Sequence, residues 1–200
     1  TAGLRVVSPA NPADAFTMIQ QAIACPDPVL FLEPKARYWD KADVEVSAAD
    51  QVAGGEAGLN TARVVRQGTD VTLAAYGPSV ATALRAATAA EAEGHSLEVL
   101  DLRTISPIDF GTIAASVRRT GRLVVVHEAP VFFGAGAEIA ARISQECFYH
   151  LEAPVARVGG STRPTRCPSW STSTCRTWTG CCTPSTTCWH TERSDHEESA

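Results

Sequence analysis

Between Thr69 and Gly160 short apolar runs alternate with Ala-rich stretches of helical spacing, and this alternation constrains the fold most. VTLAAYG, LEVLDLR, RLVVVHEA and PVARVG read as strands. VATALRAATAAEAEG, DFGTIAASVRRTG and AGAEIAARISQECFYH read as helices, with Ser79 as an N-cap and Gly94 and Gly121 as stops. Strands alternating with helices of about ten to fifteen residues predict β-α-β units. The expected fold is α/β: a mostly parallel sheet with helices on both faces. Ligands and partners of such sheets meet the carboxyl ends of the strands. Those ends hold Tyr76-Gly77, Arg103-Thr104 and His127-Glu128.

Upstream, LRVVSP predicts a strand ending at Pro9. Asn11 is placed to cap a helix whose first turn holds Pro12, and Cys25-Pro-Asp-Pro28 stops that helix. VLFLEP predicts a short buried strand. From Lys35 to Gly68 the chain is polar, Ala/Gly-rich and weakly periodic, too long for an ordinary loop. The expected division is residues 1–40 as one unit, 41–68 as a linker, 69–160 as the α/β unit and 161–200 as an aberrant tail.

The charge of -5 and a pI near 5.5 leave no basic footprint for nucleic acid. No apolar run approaches the ~20 residues of a membrane helix. The N-terminus has no basic segment followed by an apolar core, so no signal peptide is expected there. It lacks a starting Met and opens on a strand, as a fragment would. Cys25 and Cys147 stand alone in the body, which fits a reducing, cytoplasmic setting. The other five of the seven cysteines, and three of the four tryptophans, lie beyond Gly160.

Four features have chemical potential. His127 and Glu128 end an apolar strand, where they could act as acid and base, bind a charged partner, or simply cap the strand. FGAGAE resembles a Gly-rich phosphate loop but lacks the GxGxxG spacing, which favours a tight turn and close helix packing. Glu33 and Lys35 could form an ion pair or remain solvated. The tail cysteines lack paired C-x-x-C spacing, so no zinc site is expected from them.

Several strings taken together resemble the β subunit of the thiamine-dependent E1 component of 2-oxo acid dehydrogenase complexes. They are the N-P-x-D-A opening of the first helix, C-P-D-P-V-L-F-L-E-P-K (Cys25 to Lys35) and D-V-T-L-A-A-Y-G (Asp70 to Gly77). L-E-V-L-D-L-R-T-I-S-P-I-D (Leu97 to Asp109), H-E-A-P (His127 to Pro130) and E-C-F-Y-H-L-E-A-P-V-A-R-V (Glu146 to Val158) complete the set. H-E-A-P and E-C-F-x-x-L-E-A-P are more similar to the branched-chain type than to the pyruvate type. The resemblance runs from Leu4 to Gly160 and implies the end of a pyrimidine-binding domain followed by a transketolase C-terminal-like domain.

The resemblance also implies an α2β2 heterotetramer with thiamine diphosphate held between the E1 α subunit and the part of the β subunit upstream of residue 1. Magnesium would come with the α subunit. The 2-oxo acid is decarboxylated and its acyl group passes to a lipoyl group on E2. The family's catalytic glutamate and histidine fall upstream, so no catalytic or cofactor-binding residue is assigned here, and the chain alone is expected to be inactive. A potassium site of backbone carbonyls maps onto Ala22, Cys25 and Asp27. The C-terminal domain would contact a second β subunit and E2, with His127 and Glu128 facing that region. A carboxylate there could pair with an E2 arginine. Two rivals stay open: a pyruvate-specific subunit, and a non-catalytic module that docks on E2 or E1 α.

The family continues R-V-x-G with F-D-T-P-Y-P. If Gly160 to Arg166 is encoded GGT TCG ACA CGC CCT ACC CGG, reading from the third base gives Phe-Asp-Thr-Pro-Tyr-Pro. The following residues can be reread the same way to yield Y-L-P-D and a terminal amphipathic helix. One lost base at Gly160 is therefore expected, and an intact frame in the DNA would refute it. Ser161–Ala200 carries no assigned function, and its composition is that of a disordered segment.

Overall fold

A computed structural model describes residues 3–44 and 58–160; the tail from 161 lies outside the described residues. Two sheets result. The smaller contains β1 (Arg5–Val7), β2 (Val29–Phe31) and β6 (Thr104–Ser106) in the order β2-β1-β6. The larger contains β3 (Arg63–Arg66), β4 (Val71–Ala75), β5 (Leu97–Asp101), β7 (Leu123–Pro130) and β8 (Ala156–Gly160) in the order β3-β5-β4-β7-β8. β5, β4, β7 and β8 run parallel, and β3 pairs antiparallel with β5. The helices are α1 (Pro12–Ala24), α2 (Ser79–Ala92), α3 (Phe110–Thr120) and α4 (Ala135–Glu146).

The apolar runs form the large sheet because both of its faces are covered. Successive side chains point to opposite faces. Leu73, Ala75, Leu97, Val99, Val124 and Val126 pack with the alanines of α2. Ala74, Leu100, Leu123 and Val125 pack with Ile113, Val117, Ile139 and Ile143 of α3 and α4. The alanine stripe of α2 (Ala83, Ala86, Ala87, Ala90) is fully buried, so this helix lies close on the sheet. A third cluster of Val7, Met18 and Leu59 forms the core beneath α1.

Several local expectations meet the structure directly. The Asn11 side chain accepts the Asp14 N–H at 2.8 Å, with Pro12 following it. Gly121 ends α3 in the left-handed conformation, at φ 70°. Asp109 caps α3, its carboxylate accepting the Thr112 N–H and hydroxyl, and it also takes the Ala62 N–H at 3.0 Å. Burial works to raise its pKa, but these hydrogen bonds outweigh that and lower it.

Others need correction. Ser79 is the first helical residue rather than a bonded N-cap, because Pro78 occupies the cap position. β2 is not buried: Leu30 is 47% exposed. The stretch 41–68 is not wholly a linker, since Arg63–Arg66 is an edge strand of the large sheet and Leu59 is buried in the core under α1. Nor does 69–160 form one self-contained unit. After Arg103, at φ 58°, the chain leaves the large sheet and Thr104–Ser106 pairs antiparallel with β1. The Ser8 N–H bonds the Arg103 carbonyl at 2.9 Å, and the Thr104 hydroxyl donates to the Leu59 carbonyl.

Candidate functional site

Crossovers leave β4 and β7 in opposite directions, β4 toward β5 and β7 toward β8, so their carboxyl ends form the switch point of the large sheet. Tyr76 follows β4, and His127 and Glu128 belong to the end of β7. The rings of Tyr76 and His127 stack with centroids 6.1 Å apart.

His127 and Glu128 were expected to face a partner together, and the structure separates them. Glu128 is exposed, whereas His127 is buried, only 3% exposed. The reason lies in three glycines from later in the chain. A Cβ at Gly134, Gly136 or Gly159 would stand 2.9, 2.5 or 3.0 Å from atoms of the imidazole. The ring fills the space those missing side chains leave, so His127 cannot touch a partner at the surface. Its Nδ1 lies 2.9 Å from the Ala129 carbonyl, which only accepts, so Nδ1 carries the proton in that bond. Burial lowers the pKa of His127, and the nearby Arg157 charge adds to this, so the neutral ring is favoured. The same packing settles FGAGAE: the turn before α4 holds the imidazole against backbone and is no phosphate cradle. Beyond it Phe132 and Phe133 meet edge to face at 4.6 Å, and both are exposed.

The potassium candidates sit at the carboxyl end of α1, where the negative end of the helix dipole and the last carbonyls favour a cation. The Ala22 carbonyl accepts the Cys25 N–H at 3.3 Å. The Asp27 carboxylate is taken by Arg5, whose Nε and Nη2 donate to Oδ2 at 3.0 and 2.9 Å. The backbone oxygens of this loop suit a hard cation in donor type. Among the described residues no group of three or more His, Cys, Asp or Glu side chains could hold a metal. Glu33 accepts the Tyr38 hydroxyl at 2.6 Å rather than pairing with Lys35. These two residues border an open groove of about 360 Å³ between α1 and the 33–40 segment, with Phe16, Ile19, Phe31 and Arg37.

Sequence reasoning missed a buried ionic cluster at the seam of the two sheets. Asp14 Oδ2 accepts from Arg63 Nη2 at 2.6 Å and from Asn11 Nδ2 at 2.5 Å, and its Oδ1 lies 3.9 Å from Arg103 Nε. Asp101 Oδ1 accepts the Arg103 N–H at 3.0 Å, while Oδ2 has no hydrogen-bond partner among the described residues. Asp14 and Asp101 are 4% and 0% exposed. The available signal was Asp101 and Arg103 within the apolar run LEVLDLR, since a charge buried there requires a partner.

The transketolase, C-terminal domain family matches residues 60–171. That match begins ahead of β3, in line with the strand's place in the large sheet. The 3-methyl-2-oxobutanoate dehydrogenase subunit beta of Mycobacterium tuberculosis (strain ATCC 25618 / H37Rv) is 52% identical over 165 residues, 82% of this chain and 46% of that protein. The pyruvate dehydrogenase E1 component subunit beta of Leifsonia xyli subsp. xyli is 49% identical over 164 residues, 82% of this chain and 47% of that one. The chain thus spans about half the length of the curated relatives it matches. A solved structure, a split gene transketolase described as an inactive beta4 tetramer, shares the fold with a TM-score of 0.66 at 24% identity, covering 90% of this chain and 55% of that one. With more than half of its residues inside the match, the chain belongs to the transketolase C-terminal domain family.

Proposed function

We propose that the chain is the C-terminal part of an E1 β subunit of branched-chain type. In the whole enzyme, 3-methyl-2-oxobutanoate is oxidatively decarboxylated and its acyl group passes to the lipoyl group of E2. The observation that carries this reading is the 52% identity to a 3-methyl-2-oxobutanoate dehydrogenase subunit beta. A pyruvate-specific parent is the second reading, favoured by the 49% identity to a pyruvate dehydrogenase subunit over nearly the same stretch.

Thiamine diphosphate would supply the carbanion chemistry of the parent. The described residues do not fit that cofactor. The Gly-rich helix start before α4 is filled by the His127 ring, and among the described residues no cluster of acidic or imidazole ligands could hold a metal-bound diphosphate. No catalytic step is therefore assigned to this chain. Its part is scaffolding: the small sheet would abut the cofactor-holding half, and the large sheet would contact a second β subunit and E2. Glu128 is the exposed carboxylate at the switch point, suited to an arginine of E2. The carbonyls of Ala22, Cys25 and Asp27 would hold potassium, and magnesium would come with the E1 α subunit. No helix among the described residues is long and apolar enough to cross a membrane, and Cys25 and Cys147 are free thiols, as a cytoplasmic setting would have them.

The test uses the full-length parent with its α subunit and thiamine diphosphate. kcat/KM is expected to be higher for 3-methyl-2-oxobutanoate than for pyruvate, and the reverse order would select the pyruvate reading. Running the assay in potassium and in sodium salts tests the cation, with higher activity expected in potassium. Turnover by this chain with the α subunit alone would refute its lack of catalytic residues. In the same parent, Glu128→Arg is expected to weaken E2 capture at least about tenfold by reversing a charge pair. Unchanged affinity would remove Glu128 from the interface.

A further inference from the structure

Two of the strings that carry the family resemblance meet at the seam between the sheets, although they are far apart in sequence. N-P-A-D-A supplies Asn11 and Asp14 on α1, L-D-L-R-T supplies Asp101 and Arg103, and β3 supplies Arg63. Both guanidiniums approach Asp14, one at 2.6 Å and one at 3.9 Å. Asp101, wholly buried, receives a single backbone N–H and leaves one oxygen unbonded among the described residues. Two buried carboxylates therefore share two cations, Arg103 mostly buried and Arg63 half-exposed, and only one of the carboxylates is well served.

We propose that this cluster is a proton-controlled clamp: with Asp101 protonated, Arg63 and Arg103 serve Asp14 and hold α1 on the large sheet. Loss of the proton creates a second buried carboxylate that competes for the same cations and loosens the seam. Electrostatics supports the geometry. Burial and the Asp14 charge raise the Asp101 pKa to about 7, against the pull of the Arg103 N–H and of the Arg63 and Arg103 charges. The charged groups facing Asp101 are thus Asp14 from α1, Arg63 from β3 and Arg103 from its own strand end.

The sign follows from linkage. A carboxyl whose folded pKa is raised binds its proton more tightly in the closed seam than in the open one. The stabilisation is complete at pH values below the open-state pKa and is lost as pH rises through about 7. The clamp does not depend on the proposed enzymatic activity, so its test stands apart from that reading.

Hydrogen-exchange protection factors measured on the full 200-residue chain read it out. Protection of the α1 amides is expected to fall about tenfold between pH 6 and pH 8, the change one proton of this pKa produces. The amides of α4, which packs on the opposite face of the large sheet from Asp101, serve as an internal control and should not follow. Asp101→Asn mimics the protonated form and should make α1 protection level across that range. Level protection in the unsubstituted chain, an equal fall in α4, or an unchanged slope in Asp101→Asn would each overturn the clamp. A carbon-13 titration of the Asp101 carboxyl checks it without any substitution: a midpoint near 7 supports it, and an ordinary carboxylate midpoint near 4 overturns it.

Discussion

Gly68→Ala is expected to destabilise the chain by about 3 kcal/mol, lowering its melting temperature by roughly 6–12 °C. The residue lies between β3 and β4, where the backbone passes directly over β5. A Cβ there would stand 2.2 Å from both Glu98 N and Leu97 C, and 2.6 Å from Leu97 O. All three are backbone atoms of a strand paired on both sides, so no rotamer change can clear the space. Relief requires shifting β3 off β5, at the cost of the antiparallel ladder. Gly111→Ala is the matched control. It sits in the first turn of α3 and meets nothing closer than Asp109 Oδ1 at 3.5 Å, so helix propensity should make it neutral or slightly stabilising. Thermal unfolding of both variants measures the contrast. A Gly68→Ala protein within about 0.5 kcal/mol of the parent would mean that β3 is not held against β5 as described.

Glu98→Ala is the second large effect, at about 2–4 kcal/mol. Glu98 points from β5 to the α3 face and is fully buried. Its carboxylate accepts from Arg119 Nη2 at 2.5 and 2.7 Å and from the Ser116 hydroxyl. Ser116 in turn bonds Thr72 at 2.6 Å, and Thr72 bonds Thr120 at 2.8 Å. Removing the carboxylate leaves a cavity and strips the acceptor from a buried hydroxyl chain. Arg119 is half-exposed and can turn to water, which keeps the cost below that of a wholly buried pair. Glu98→Gln retains an acceptor for Ser116 and should cost about half as much. Urea titrations with an unchanged m-value give the difference. Equal losses in the two variants would show that the cavity, not the hydroxyl chain, sets the cost.

How far these features could be read in advance depends on whether their causes are local. The first helix was legible because Asn11, Pro12 and the Cys25–Pro28 stop act within a few residues of one another. β4, β5 and β7 were legible because strands covered on both faces need uninterrupted apolar runs. β3 was not, since Arg63 and Arg66 bracket only two valines and its strand character comes from pairing with β5. β6 was not legible because the strand reading stops at Arg103; Thr104–Ser106 becomes a strand only by pairing with β1 after the left-handed turn at Arg103. His127 looked like a surface residue because the glycines that bury it come from positions 134, 136 and 159. Likewise Asp14 and Asp101 each look ordinary in their own segments, and only the fold brings them together.

Because β6 is made of residues that follow β5 yet completes the sheet of β1, the boundary suggested by composition is not a place where the molecule comes apart. Cutting ahead of Thr69 would remove the neighbour of Thr104–Ser106 along with the edge strand beside β5, exposing two rows of backbone groups at once. The smaller sheet and the larger one are therefore expected to melt as a single cooperative body, seen as one transition in calorimetry.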